Sequence, residues 1–193
     1  VEEVRLGGVF LALSALLLGS LLWALYDELV TRRPWKDVRR EFNRLAVAAS
    51  RAPVPVEIEQ VVLPRLDTID RCPTCHAGID DPAWDAPEIP QPHRTHPRRA
   101  ELLGARHPVR LFACTTCHDG QGMQTKGVAG RAFDHGRGDP FWENPLLAGA
   151  LAESKCATCH PDGPVEGAPR FNRGRELFAD LGCGGCHRTS LLT

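Results

Sequence analysis

Aromatic side chains make up only 6 % of these 193 residues, while 16 prolines and 18 glycines interrupt the chain. That mixture is a poor recipe for a conventional apolar core at this length. Lysine is nearly missing too: of 23 basic residues only Lys36, Lys126 and Lys155 are lysine, and the others are arginine. The formal net charge of −1 leaves no basic excess for a nucleic-acid partner. There is one methionine, Met123, and no cysteine stands alone.

All eight cysteines fall in four copies of one pentad, C-x-x-C-H. The copies are Cys72, Cys75 and His76; Cys114, Cys117 and His118; Cys156, Cys159 and His160; and Cys183, Cys186 and His187. This is the attachment signature of a c-type haem: two thiols bond to the porphyrin's vinyl groups, and the adjacent histidine is carried under the ring to the iron. Pairs of the C-x-x-C type also build four-cysteine zinc knots or disulfides, but neither asks for a histidine after every second cysteine. With histidine at about 4 % of the chain, four such placements by chance have a probability on the order of a few in a million. Four covalent haem c groups are therefore the expected cofactors, and they supply the missing core. At about 40 residues per haem, most apolar side chains are expected on macrocycles, with the backbone in loops and short helices. Haem propionates would make the loaded protein acidic. The arginine excess suits bidentate pairing with them, compositional bias being the competing explanation.

Leu6 to Tyr26 is a charge-free run of 21 residues. As a helix it is roughly 31 Å long, enough to cross a bilayer's hydrocarbon. Trp23 and Tyr26 sit where an aromatic belt lies. No A-x-A-like site follows, so residues 1–29 read as an uncleaved signal-anchor rather than a cleaved signal peptide. Covalent haem attachment is in general an event of the outer side of the bacterial cytoplasmic membrane. The N-terminus is then inside, the protein crosses once, and the haem region is periplasmic. Arg32, Arg33, Lys36, Arg39 and Arg40 oppose the positive-inside rule, a bias that haem export is expected to override. The first residue is valine, so further residues are expected at the inner end. Gly8, Ala12, Ala15 and Gly19 form a stripe of small residues suited to a partner helix.

Residues 30–66 read as a juxtamembrane segment. Pro34 to Ser50 has the apolar spacing of an amphipathic helix, at Val38, Phe42, Leu45 and Ala49, with a basic face for headgroups, a partner subunit or solvent. Ala52 to Pro64 reads as an extended linker with one edge strand. Residues 67–193 are the expected tetrahaem domain. The first cysteines of successive motifs lie 42, 42 and 27 residues apart. A glycine two residues on, at Gly78 and Gly120, and a later histidine make the first two units a weak repeat.

The sixth iron ligands decide the chemistry, because a carrier wants two protein ligands and an enzyme leaves one position open. His93, His96, His107 and His135 lie outside the pentads. His96, His107 and His135 are the favoured ligands, since His93 stands too close to His96 for both to serve without a tight turn. Met123 can serve one iron at most. That argues against the tetrahaem subunit of purple-type reaction centres, which uses several methionines.

Gly174 to His187, GRELFADLGCGGCH, resembles the opening helix and haem site of a class I cytochrome c. In that family a methionine further along completes the iron. Here the sequence stops six residues after His187, so the ligand is expected from further residues, another residue of the chain or another subunit. RPWKDVRREFNRL, DRCPTCHAGIDDP, THP at His96 and HPVRLFACTTCHDGQG around His107 resemble a family of membrane-anchored multihaem c-type cytochromes found beside menaquinol-oxidising complexes of the Rieske/cytochrome b type. The resemblance implies electron transfer from such a complex towards soluble periplasmic acceptors, with His96 and His107 in family-like motifs and His93 outside them.

The expected fold is mainly α with much irregular structure: one transmembrane helix and an extracytoplasmic domain packed around four haems. The expected function is electron transfer rather than catalysis. A multihaem reductase with one open iron, a donor subunit bound to a photosynthetic reaction centre and a polymerising haem wire are the alternatives. No lysine-ligated pentad supports the reductase, and the anchor disfavours the wire.

Overall fold

The structure, a computed structural model, describes residues 6–31, 33–125 and 144–187. It is mainly helical with little sheet. The chain opens on α1, Leu6–Tyr26, whose bounds coincide with the apolar run. It is long and apolar enough to cross a membrane, and every residue from Gly7 to Tyr26 is exposed. Such a surface requires an apolar solvent or a partner.

A five-residue π-turn, Asp27–Thr31, leads to α2, Pro34–Ala48. Proline occupies its first turn, where no amide partner is lost. Trp35, Val38, Phe42 and Ala46 recur at helical spacing and are buried. Ala46, not the expected Ala49, continues the buried face, because the helix closes there: Ser50 takes φ +56° and the Arg51 N–H returns to the Ala46 carbonyl at 2.8 Å. Phe42 and Ala46 pack with Trp84 in the main apolar cluster, flanked by Leu45, Val54, Ala77 and Ile89. The Phe42 and Trp84 rings are 4.7 Å apart. Burying such a side chain stabilises by about 1.5–3 kcal/mol. Ala77 directly follows His76, so the cluster abuts the first pentad.

Arg39, one of the basic residues of α2, does not face solvent. Only 3 % exposed, it donates to the carbonyls of Pro55, Pro73 and Thr74 and to Glu59, at 2.9–3.3 Å. The linker is held by side chains as well. Asn43 exchanges two 2.8 Å hydrogen bonds with the Val54 backbone, and Thr74 two with that of Glu59. The strand falls at β1, Val61–Leu63, beyond the prolines, and pairs antiparallel with β2, Thr68–Asp70. The expected boundary near Asp67 is thus crossed by this hairpin and by the Arg39 contacts.

Beyond β2 the helices are short: α3, Arg99–Leu102; α4, Val109–Phe112; α5, Thr115–His118. A 3-10 segment, Gly149–Thr158, then α6, Pro169–Asp180, and a 3-10 turn, Cys183–Gly185, complete the described chain.

Candidate functional site

The four pentads share one backbone turn. In each, the second cysteine's N–H bonds the first cysteine's carbonyl at 3.1–3.2 Å, and the histidine's N–H bonds the same carbonyl at 2.9–3.0 Å. One helical turn therefore sets the two thiols side by side and the imidazole one step on. All eight cysteines are free thiols, so none of the disulfides weighed above is formed. No four thiols converge among the described residues. The one cluster of three metal-type donors there is Asp70, Cys72 and Cys114, with ligand atoms within 4.8 Å.

Asp70 ends β2 and is fully buried. Its Oδ1 accepts the Cys72 N–H at 2.9 Å, and its Oδ2 accepts the Cys114 N–H, the Thr115 N–H and the Thr115 hydroxyl at 2.7–3.0 Å. Those bonds use the carboxylate as a staple between two pentads and leave it poorly placed to bind a cation. The Cys72 thiol is pushed up, first by its hydrogen bond with Cys114 and then by burial. Burial raises Cys75 to about 11 against the opposing charge of Arg39, and it also raises Cys117 and Cys156. These thiols stay protonated at neutral pH.

Two further links join the later pentads. Lys155 Nζ lies 2.9 Å from Asp119 Oδ1, tying the third motif to the second. Glu153, only 6 % exposed, accepts the Arg170 and Phe171 N–H groups at the start of α6 and the Arg98 guanidinium. Burial alone would raise its pKa, but those amides and Arg98 hold it below the usual carboxylate range. Arg98 also reaches the Gly167 carbonyl. Arg51, Arg98 and Arg99 pair with the chain's own carboxylates. Around the motifs Leu66, Leu111, Met123, Leu151 and Leu181 remain exposed.

The spare histidines separate by environment. His93 is buried, its ring 5.8 Å from Phe42, and its Nδ1 has no hydrogen-bond partner. The Gly78 backbone passes so close to the His93 carbonyl that a Cβ would sit 2.1 Å from its oxygen. His96 lies beside His118, with ring centroids 6.0 Å apart and planes crossed at 62°. His107 lies beside His160, at 6.1 Å and 80°. His107 and His118 each hold Nδ1 against a backbone carbonyl, of Leu102 at 2.6 Å and Leu147 at 2.8 Å. His187 has no second imidazole against it among the described residues, and His135 lies outside them.

No protein family, curated protein or solved structure matches the chain. The chemistry must be read from the residues themselves. Sequence reasoning found the thiols and the histidines, but not Asp70, Glu153 or the Lys155–Asp119 link. Asp70 and Glu153 precede a pentad's first cysteine by two and three residues, and no motif marks an acid there as buried.

Proposed function

We propose that the chain is a membrane-anchored tetrahaem c-type cytochrome that relays electrons within a membrane redox complex. The observation that carries this reading is the single turn repeated at all four pentads, which aligns two free thiols and a histidine each time. The donor set suits a covalently held porphyrin, and a second imidazole beside His118 and His160 suits low-spin iron. The exposed leucines around the pentads suit the same group, since a macrocycle covers apolar surface. Haem iron, alternating between ferric and ferrous states, supplies the redox chemistry when bound.

The protein's own residues would do the remainder. Cysteine pairs would prevent dissociation, and Asp70 ties the Cys72 and Cys114 backbones together, so that groups attached there would be held near one another. Asp119 with Lys155 extends the series to the third motif, and Glu153 extends it towards α6. A terminal helix able to span a bilayer supports anchoring, with the cysteine-bearing region on the outer side of a bacterial cytoplasmic membrane. Resemblance to cytochromes of menaquinol-oxidising complexes makes such a cytochrome b/Rieske-type assembly the proposed donor, and a soluble periplasmic carrier the proposed acceptor.

Expression with a c-type maturation system, followed by a pyridine haemochrome assay and intact mass, tests the reading. Four covalent haems are expected from the four motifs, whereas bound zinc without haem would sink it.

A further inference from the structure

Resting on that reading of the pentads, we infer that His96 is the second axial ligand of the iron held at Cys114, Cys117 and His118, and His107 that of the iron held at Cys156, Cys159 and His160. An iron–nitrogen bond of about 2 Å and roughly 1.2 Å from nitrogen to ring centre would put the centroids of two imidazoles bound on opposite sides of one iron roughly 6.4 Å apart. The two observed pairs stand at 6.0 and 6.1 Å.

Aromatic rings that merely pack also fall at about 4.5–7 Å, so distance alone does not decide. The partners and the hydrogen bonds do. Each pair joins a pentad histidine to one outside the pentads, whereas buried His93 faces Phe42. His107 and His118 spend Nδ1 on carbonyls, which fixes the tautomer and frees the Nε2 lone pair, as metal-bound histidines do. Phe112 steadies His107 edge-on at 4.9 Å. At His96 the Nδ1 instead accepts the Arg98 N–H at 3.1 Å. A neutral ring in that state carries its proton on Nε2, so ligation through Nε2 requires the Arg98 contact to break and the proton to move to Nδ1.

The assignment is not the one that chain proximity gives. His107 stands seven residues before Cys114, yet its ring faces the third motif. His96, further from Cys114 in sequence, faces the second.

The full-length matured chain in detergent provides the test, read by the spin state of its irons in electron paramagnetic resonance. His96→Ala is expected to convert one low-spin iron to high spin in the tetrahaem chain. It is expected to convert none in a Cys114→Ala/Cys117→Ala background whose mass shows that haem missing. His107→Ala should behave likewise against Cys156→Ala/Cys159→Ala. His96→Met and His107→Met, which keep a ligand and so do not rely on an open site, should each add a histidine/methionine band to the near-infrared magnetic circular dichroism. That band should vanish in the corresponding background. Conversion or a new band in the background lacking the paired haem, or no change in the tetrahaem chain, overturns the assignment and leaves the proposed function standing. Absence of covalent haem from the wild-type chain overturns both.

Discussion

Two buried side chains carry predictions of their own. Asp70 satisfies three backbone N–H groups and one hydroxyl from the first two pentads. Asp70→Ala would strand all of them in a buried setting, at a cost of about 3–5 kcal/mol. Asp70→Asn keeps one acceptor oxygen and should fall between the two. Thermal unfolding of the three chains checks the order, and an alanine variant that melts with the wild type would contradict the staple. His93 offers a pH test. Burial lowers its pKa, so the folded state holds the proton more weakly than the unfolded state, whose value is about 6.5. Its contribution is intact above that value and is lost as pH falls through it towards the lowered folded value, at up to about 1.4 kcal/mol per unit. His93→Phe preserves packing on Phe42 and should lose less stability between about pH 7 and pH 5 than the wild type does. Equal losses in the two chains would rule out this origin.

Among the elements, α2 is the one whose role the residues redefine. Its amphipathic period was legible at Val38 and Phe42, but the burial of Arg39 beside them was not. Periodicity sees hydrophobicity and not hydrogen bonding, so it cannot tell a solvated guanidinium from one spent on buried carbonyls. Arg39→Met keeps the apolar stem and removes the donors for Pro55, Pro73 and Thr74. A loss of about 2–4 kcal/mol is expected, with faster proteolysis in the segment 52–60 than in the wild type. Unchanged cleavage there would show that packing of Phe42 on Trp84 alone holds α2 in place. The hairpin teaches a related point. Pro53 and Pro55 offer no amide to a ladder, and the strand accordingly lies beyond them at Val61–Leu63.

For the whole molecule, α1 stands apart in its chemistry. Residues from Gly7 to Tyr26 are all exposed, so removing residues 1–33 takes away no buried contact from α1. The truncated chain is expected in the soluble fraction after cell breakage, melting within a few degrees of the full-length chain. Retention in membranes would point to a second membrane-binding surface. A large drop in melting temperature would show instead that α1 supports the rest of the fold.

The pentads, the 21-residue apolar run and the helical period of α2 were legible in the amino-acid sequence because each is a local pattern: neighbouring residues make a thiol pair, a bilayer's thickness or a helix face. Spatial assembly obeys no such rule. Asp70 reaches Cys114 from 44 positions away, and Arg98 reaches Glu153 from 55. His107 turns from the adjacent motif towards His160. Spacing names the groups that can act, but which of them meet depends on where the chain folds back, and long-range hydrogen bonds between buried polar groups decide that.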